Sequence, residues 1–459
     1  MKLVAGLAIL GVCLLGMGSC RPAKTLPATV EIELWTLALR PFFDDYMRAR
    51  LEEFEQDNAG VKVNWVDVPF EAMDRKLIAA AGAERTPDVV NFSDKAFARY
   101  IALGAVRDIG PLLPAGTEAE YLPAALRLGR IDGRLLALPW YLTTQTVVAN
   151  QDLLSRGGLT AAEVRPEWSW LLDRAVSFRA ATGTYLFSTP LGTESDLPMM
   201  MLADGHMPLM PVKGEGRLRA NLLDPSIVAL VERWVKVVRA GGLPREAVTG
   251  GSAHLPEMYQ NGRVAIINSG PNFLQRIRDV APEIYRSTKV RPPVTGALGR
   301  AHIAVMVLCV TSQSKHPMPS VALVRHLTSA RSQEALCELV PVLASTTSSL
   351  DATASPPAGS EEKIAQARAT TVLALRDGAA FTPAIPVWPE MRRVFEDRIK
   401  RVFLDGADTR ATLGEINDAW DRLLDGSPAF STPEAAEEAL PRPGQRGAPS
   451  ESAESKSPN

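Results

Sequence analysis

Hydrophobic and polar residues alternate where the folded part of the chain is expected to begin. Over residues 30–34, Val, Ile and Leu alternate with two glutamates, and this period of two is typical of a strand with one protected face. From 44 to 58 the apolar residues recur at helical spacing, and a second run with strand character follows over 61–68. The pattern therefore predicts strand, helix, strand.

The same alternation continues along most of the chain. Further strands are predicted at 88–92, 135–139, 146–150, 263–268 and 303–310. Helices are predicted at 70–83, 96–103, 169–181, 226–239, 317–329, 361–376 and 388–403. Residues 345–360, rich in Ser, Thr, Ala and Pro, are predicted to form a loop. Strands that alternate with helices indicate an α/β protein with mainly parallel sheets.

The first twenty residues have the pattern of a secretory signal. Lys2 precedes an apolar run over 3–15 that is too short to span a bilayer. Residues 17–20, Met-Gly-Ser-Cys, resemble a bacterial lipobox, in which the cysteine carries the lipid. We therefore expect a signal peptide over 1–19, a lipidated tether over 20–28, and an extracytoplasmic protein anchored through Cys20. The alternative is ordinary signal cleavage, with Cys20 incidental.

Length and charge limit the classes of function. About 440 of the 459 residues remain after processing, and that length favours two or more domains. The formal net charge is −2, which provides no basic field for nucleic acid. Beyond the leader, Cys309 and Cys337 are expected to be buried thiols, with a disulfide as the alternative. Residues 429–459, rich in proline and serine, are expected to be a disordered tail.

The sequence lacks the motifs of several enzyme classes. There is no Gly-Lys dipeptide for a Walker loop and no Gly-x-Ser-x-Gly turn for an activated serine. The five histidines lie far apart, and no His-Glu-x-x-His or Cys-x-x-Cys pair indicates a metal site. We therefore expect no catalytic residues, no metal and no cofactor.

Aromatic and polar residues cluster where the predicted strands end. In parallel sheets, ligands bind beyond the carboxyl ends of the strands. A sugar suits such a mixture, because its C–H face stacks on an aromatic ring while its hydroxyls need donors and acceptors. For each aromatic residue the alternative is packing in a core. The candidate ligand-binding residues are Thr36, Arg40, Phe42, Phe92, Ser93, Asp94, Lys95, Trp140, Tyr141, Thr143, Glu194, Asn272, Phe273 and Trp388.

Short segments in a characteristic order carry a resemblance to a known family. They are Pro87-Asp88-Val89-Val90, the run 103–109, Ala137-Leu138-Pro139-Trp140-Tyr141, the run 150–154, Asn261-Gly262-Arg263-Val264-Ala265, Ser269-Gly270-Pro271 and the run 326–329. With these segments the chain resembles the carbohydrate-type, maltose-binding-protein-like solute-binding lipoproteins of bacterial ABC importers. It departs from the family pattern at Ala149, where a tyrosine is usual, and over 142–144, which lack an acidic residue. These departures leave the identity of the ligand open.

The resemblance implies two α/β lobes joined by a hinge, with the ligand between them. Lobe 1 is expected to comprise 29–142 and 292–335, and lobe 2 to comprise 143–291 and 336–428. It further implies a monomer that captures a sugar, closes around it and presents the closed form to a membrane permease.

Other functions stay open at this point. Arg40 and Lys95 would suit a phosphorylated or acidic polyol such as a glycerophosphodiester, since cations pair with phosphate or carboxylate. Their alternative role is that of solvated charges at the rim of the site. A secreted enzyme or a sensor on the same fold is also compatible, because fold alone does not determine function.

Overall fold

The computed structural model shows two α/β lobes formed from one chain. It describes residues 29–41, 43–270, 272–339, 342–352, 361–376, 378–438 and 440. The predicted signal peptide, the tether and Cys20 lie outside these residues. Within the described ranges, no helix is both long enough and apolar enough to span a bilayer.

The elements follow one another along the chain largely as the pattern predicts. Before the first crossing between the lobes they are β1 (Val30–Leu37), α1 (Asp44–Asp57), β2 (Val61–Val68), α2 (Phe70–Gly82), β3 (Val89–Ser93), α3 (Asp94–Ala102), α4 (Pro123–Gly129), β4 (Arg130–Ile131), β5 (Arg134–Leu135) and β6 (Leu138–Thr143). The next are β7 (Thr146–Asn150), α5 (Gln151–Arg156), α6 (Trp168–Thr182), β8 (Tyr185–Phe187), α7 (Leu197–Ala203), β9 (Leu209–Pro211), β10 (Leu218–Ala220), α8 (Pro225–Arg239), α9 (Glu246–Thr249), α10 (His254–Gln260), β11 (Val264–Ser269), α11 (Asn272–Val280), α12 (Pro282–Ser287) and β12 (Thr288–Arg291). The last are β13 (Ala304–Val310), α13 (Pro317–Thr328), α14 (Ala330–Leu339), β14 (Leu343–Ala344), α15 (Thr347–Ala352), α16 (Glu362–Arg376), α17 (Trp388–Leu404), α18 (Thr409–Asp425) and α19 (Pro433–Glu438).

The first strand shows how the pattern determines the core. Ile32 and Leu34 are fully buried, whereas Glu31, which immediately precedes Ile32, is exposed. The helix α1 then covers this face of the sheet with Met47 and Phe54, which share a core cluster with both strand residues. Alternation in the strand and helical spacing in α1 therefore bury one continuous apolar surface.

Each lobe is built on one main sheet, and both sheets are mixed. Lobe 1 has the strand order β14-β6-β13-β3-β1-β2, and lobe 2 has the order β12-β7-β11-β8. Pairing is parallel for β1–β2, β1–β3 and β8–β11, but antiparallel along β13, β6, β14, β7 and β12. The two-lobed α/β architecture is thus as predicted, while the expectation of mainly parallel sheets is corrected. The reason is topological, because β6 leaves lobe 1 and β13 re-enters it from the other lobe.

The chain passes between the lobes at four described places. The first is the short link 144–145 between β6 and β7, and the second is the segment 292–303 between β12 and β13. The third is α16, where Ala367 packs in a lobe 2 cluster and Leu375 in a lobe 1 cluster. The fourth is the segment that follows α16, where Ala380 packs in the lobe 1 cluster and Ile385 in the lobe 2 core. Several parallel connections of this kind form a hinge.

The predicted return to lobe 2 at residue 336 comes too early. The strand β14 pairs with β6 in the lobe 1 sheet, with Leu343 opposite Leu142 and Ala344 opposite Tyr141. Lobe 1 therefore continues through α14, β14 and α15. Residues 345–352 also differ from the predicted loop, since α15 occupies most of them.

Both cysteines of the described region are buried thiols, as expected. Cys309 and Cys337 form no disulfide with one another. Burial raises the pKa of the Cys309 thiol well above its usual value, which keeps it protonated and unreactive at neutral pH.

The described segment after α18 packs on the body as far as residue 440, in contrast to the disordered tail predicted over 429–459. Residues 441–459 of that predicted tail lie outside the described residues. Ala436 is fully buried and Leu440 is nearly so, and both belong to the core cluster of lobe 2. The backbone N–H of Phe430 donates to the carbonyl of Gly216 at 2.7 Å. Ser431 also reaches across to lobe 1, where its backbone N–H donates to the carboxylate of Asp132 at 3.0 Å. Composition concealed this packing, because a few well-placed apolar residues suffice to anchor a short segment.

Removal of the chain after Gly426 is expected to lower the free energy of unfolding by about 2 to 4 kcal/mol. The deletion removes one fully buried alanine and one buried leucine from the lobe 2 core and exposes the surface beneath them. Chemical denaturation would measure the loss. The matched comparison ends after Leu440, keeps both buried residues and should be more stable than the shorter protein. Equal stability of the two truncated proteins would contradict the packing described here.

Candidate functional site

A cavity of about 600 Å³ lies between the two lobes. Lobe 1 lines it with the end of β6 at Thr143 and with the residues that lead into β13, including His302. Lobe 2 lines it with the segments after β8 and β11. The cavity therefore lies at strand ends and at the boundary between the lobes, as expected for a ligand site in this type of fold.

Three segments that join or flank the lobes are linked by polar contacts on the hinge side of the cavity. The side-chain amide of Asn268, at the end of β11, donates to Gln145 in the first crossing. The backbone N–H of Val294, in the second crossing, donates to the carbonyl oxygen of the same Asn268 side chain at 3.2 Å. Thr144 donates to the backbone carbonyl of His302 at 2.8 Å. A ligand in the cavity is thus next to the residues on which the lobes turn.

The segment after β8 supplies hydroxyl groups to the cavity. Ser188 and Thr189 are buried, and both line it. Thr189 donates to the carboxylate of Asp196 at 2.9 Å. The oxygen of Ser188 lies 3.0 Å from the Nε2 atom of His254. Each hydroxyl is therefore oriented by a second side chain.

Glu194 is held in an unusual backbone conformation beside the cavity. Its φ of 53° lies in the left-handed region, which is uncommon for a residue other than glycine. Its carboxylate accepts hydrogen bonds from both the backbone N–H and the hydroxyl of Ser252, another lining residue. These contacts fix the carboxylate at the cavity wall.

Acidic and basic side chains are balanced around the cavity. Glu194 and Asp196 line it together with Arg300 and Arg392. The guanidinium of Arg392 donates to Glu396 at 3.0 Å, and that of Arg300 donates to the carbonyl of Gly378 at 2.8 Å. The arrangement provides donors and acceptors without an excess of either charge.

Trp168 and Phe381 are the aromatic side chains that line the cavity within the described part of the chain. Phe381 is buried and stacks on His302, with ring centroids 6.1 Å apart. Trp168 is half-buried and packs edge-on against Trp234 at 5.8 Å. Its exposed indole surface is therefore available to a ligand.

Two of the predicted site residues line this cavity, namely Thr143 and Glu194. Thr36 is fully buried and donates to Asp67 at 2.8 Å, so it serves the sheet. Arg40 is exposed, is stacked over Trp65 at 4.4 Å and is not among the residues that line the cavity. For these last two residues the predicted ligand contact is corrected.

Two aromatic residues predicted at the site lie in the core of lobe 1. Trp140 has no exposed surface, and Tyr141 packs against Phe43 at 5.8 Å. Both were expected after a strand ending at residue 139, but β6 continues to Thr143. The strand end, and with it the cavity, is displaced from the two rings. Their predicted ligand contacts are corrected accordingly.

The other predicted aromatic contacts are also replaced by packing. Phe92 stacks on Tyr100, with centroids 4.3 Å apart, between the sheet and α3. Phe273 packs edge-on against Tyr259 at 5.7 Å, and Trp388 packs edge-on against Trp420 at 5.7 Å. Each ring is at most 6 % exposed.

Of the remaining candidates, three lie at the start of a helix, one ends a strand and one falls outside the described residues. Ser93 is the last residue of β3 and is half-buried, but it is not among the residues that line the cavity. Asp94 and Asn272 begin α3 and α11, and Lys95 follows Asp94 in α3. Phe42 lies outside the described residues.

Several residues that line the cavity were not indicated by the sequence, and two of them follow a strand that the pattern did not predict. The strand β8 spans three residues, too few for an alternating pattern to stand out. Had it been recognised, the strand-end rule would have identified Ser188 and Thr189 directly. Trp168, His302, Arg300 and Arg392 come together through the tertiary fold and carry no local signal.

The chain is similar to known bacterial binding proteins. The family model for bacterial extracellular solute-binding proteins matches residues 49–366. An uncharacterized lipoprotein from Streptomyces antibioticus, encoded in the oleD 5′ region, is 22 % identical over 322 residues, which are 69 % of this chain and 71 % of the relative.

Solved structures resemble the fold over most of its length. A candidate oligosaccharide periplasmic-binding protein from Synechococcus sp. MITs9220 superposes with a TM-score of 0.79 at 30 % identity, covering 86 % of this chain and 99 % of that one. The sugar-binding protein MalE from Xanthomonas citri superposes with a TM-score of 0.72 at 19 % identity, covering 86 % and 98 % of the two chains.

Proposed function

Because the chain belongs to the family of bacterial extracellular solute-binding proteins, we propose that it captures a neutral saccharide between its lobes and delivers it to an ABC importer. The observation that carries the proposal is the cavity at the lobe boundary, where a half-buried indole faces hydroxyl, amide and charged groups. An indole offers a stacking surface to the C–H face of a sugar ring, while the polar groups match its hydroxyls.

The charge of the cavity favours a neutral ligand over a phosphorylated or acidic polyol. Cationic donors form the strongest hydrogen bonds to phosphate and carboxylate, but here the arginines Arg300 and Arg392 are matched by the acidic residues Glu194 and Asp196. Arg40, which suggested an anionic ligand, pairs with Asp44 at 3.4 Å and does not line the cavity.

The size of the cavity suits a small saccharide. A volume of about 600 Å³ lies within the roughly 300–1,000 Å³ typical of small-molecule sites. The structural relative from Synechococcus is described as a candidate oligosaccharide-binding protein, which supports an oligosaccharide over a single sugar ring.

A thermal-shift screen tests the proposed function. The panel would contain neutral mono-, di- and oligosaccharides, with glycerophosphodiesters as the acidic alternative. A ligand that binds only the folded state, at a free concentration of roughly 100 times its Kd, stabilises that state by about 2.7 kcal/mol. The melting temperature therefore rises. A rise with the glycerophosphodiesters alone would overturn the neutral-sugar proposal. Chemical conversion of a stabilising sugar would favour a secreted enzyme instead.

The proposed location is outside the cytoplasm, with a lipid on Cys20. The lipobox-like residues 17–20 support it, as does the similarity to a Streptomyces lipoprotein. Cys20→Ala is expected to release the protein from membranes into the soluble fraction, because a covalently attached lipid chain supplies membrane affinity. Fractionation of cells followed by immunoblotting measures the partition. Cys309→Ala is the matched control and should leave the protein on the membrane, and equal partition of the Cys20 variant and the parent would refute the anchor.

The proposed partner is the membrane permease of an ABC importer, with the binding protein acting as a monomer. Closure around the sugar would bring the two lobes into one fixed arrangement, so that the permease can distinguish the loaded form from the empty one. Co-purification with the permease in the presence of the saccharide identified by thermal shift tests this step. Association that does not depend on the saccharide would contradict it.

A further inference from the structure

Ser188 and His254 form a buried pair at the cavity wall. The oxygen of Ser188 lies 3.0 Å from the Nε2 atom of His254. On the other side of the ring, the Nδ1 atom is hydrogen-bonded to the backbone carbonyl of Gly251. Ser188 is 3 % exposed and lines the cavity, whereas His254 is 8 % exposed and lies behind it.

The carbonyl of Gly251 determines where the proton of the imidazole resides. A carbonyl oxygen can only accept a hydrogen bond, so the Nδ1 atom of His254 must be the donor. In the neutral ring, Nε2 then carries a lone pair and accepts. The hydroxyl of Ser188 must therefore donate its single proton to Nε2.

The surroundings of His254 favour the neutral ring. Burial is the largest influence and lowers the pKa of His254 below its usual value, so the ring is uncharged at neutral pH. The charged side chains around it are Glu246, whose carboxylate raises the pKa, and Arg263, whose guanidinium lowers it further. Glu194 lies near Gly251, but its carboxylate is occupied by Ser252.

We propose that His254 fixes the polarity of the Ser188 hydroxyl, so that Ser188 presents only acceptor lone pairs to the cavity and selects a ligand hydroxyl that donates. Ser188 is then a specificity-determining residue, and His254 is a positioning residue that acts through it. The inference rests on the proposed function, since it specifies how one hydroxyl of the captured saccharide is recognised.

The arrangement has a consequence at low pH. Once His254 gains a second proton, both ring nitrogens donate, and Nε2–H now donates to the Ser188 oxygen. The proton of Ser188 is then free to turn toward the cavity. The same side chain would change from an acceptor to a donor, and the preferred ligand group would change with it.

Two measurements test the proposal, and the first needs no ligand. Two-bond ¹H–¹⁵N correlation spectra of ¹⁵N-histidine-labelled protein, assigned through His254→Phe, report which ring nitrogen carries the proton. At neutral pH we expect Nδ1 of His254 to be protonated and Nε2 to be bare. A protonated Nε2 at neutral pH would overturn the proposal even if sugars bind.

The second measurement uses the tightest-binding saccharide of the thermal-shift panel with its monodeoxy and monodeoxyfluoro derivatives. Fluorine can accept weakly but cannot donate a hydrogen bond. At one ring position we expect both derivatives to bind about tenfold more weakly than the parent sugar. In Ser188→Ala this loss should disappear, because the acceptor is gone.

His254→Phe separates positioning from a merely structural role. The variant removes the Nε2 acceptor of His254, so the hydroxyl of Ser188 can donate its proton toward the cavity. Because fluorine can accept this hydrogen bond weakly, the fluoro derivative should recover affinity relative to the deoxy derivative. Circular dichroism establishes that the variants are folded. Equal losses of affinity for the two derivatives in the parent protein, Ser188→Ala and His254→Phe would overturn the proposal. Release of nitrophenol from p-nitrophenyl acetate that depends on Ser188 would also overturn it, since that would identify the pair as nucleophile and base. Absence of binding by every neutral saccharide would instead refute the proposed function and leave the spectroscopic result standing.

Discussion

Trp140→Ala is expected to lower the free energy of unfolding by about 3–5 kcal/mol and to leave the affinity for a saccharide nearly unchanged. The indole is fully buried in the core of lobe 1. Its ring centroid lies 6.5 Å from that of Tyr46 and 5.3 Å from that of Tyr141. Truncation would leave a cavity that the surrounding sheet and helix cannot close.

Chemical denaturation and calorimetric titration, performed on the same preparations, separate the two effects. Trp140→Phe is the matched variant, because it retains an aromatic ring in the core and should lose less stability than the alanine variant. A tenfold loss of affinity with unchanged stability would contradict the placement of this ring in the core.

Trp168→Ala is expected to weaken saccharide binding by roughly tenfold or more. Stacking on an aromatic ring contributes about 0.5–1.5 kcal/mol beyond the apolar area that is buried, and a tenfold change corresponds to about 1.4 kcal/mol. The stability loss should be smaller than for Trp140, since Trp168 is only half-buried in the lobe 2 wall.

Trp170→Ala provides the control for this prediction. Trp170 is two residues away on the same helix, is 8 % exposed, and packs under Arg174 at 4.3 Å. It does not line the cavity. Its removal should lower stability without changing affinity. If both variants bind as the parent does, Trp168 does not contact the saccharide.

Local patterns were sufficient to predict much of the fold. The bounds of β2 and β7 agree with the predicted ranges, and those of α6 and α17 differ by one residue at most. In β2 apolar and polar residues largely alternate, and in α17 the buried residues recur at helical spacing, so local sequence determines these two elements. The short strand β14 and the mixed pairing of the sheets depend on contacts between distant segments, which periodicity does not record.

The site could be predicted only as a region. The rule that ligands bind at strand ends identified Thr143, at the end of β6. The predicted strand ended four residues too early, however, so Trp140 was also predicted to contact the ligand. Whether an aromatic ring faces a cavity or a core depends on what covers it, and that is a tertiary property. Arg300 and Arg392 illustrate the same limit, because they are 92 residues apart and meet only in the folded protein.

The position of β13 determines which parts of the chain can exist on their own. This strand lies between β3 and β6 in the lobe 1 sheet, yet it follows the whole first portion of lobe 2 in sequence. In a fragment limited to 29–142, β3 and β6 would therefore have open edges, because β13, which joins them, is missing. Such edges pair readily with other chains. During synthesis the lobe 2 sheet has all its strands once β12 has emerged at residue 291, whereas the lobe 1 sheet also requires β13 and β14 and has all its strands only at residue 344. The lobe that contains the first strand of the fold is thus the last to complete its sheet.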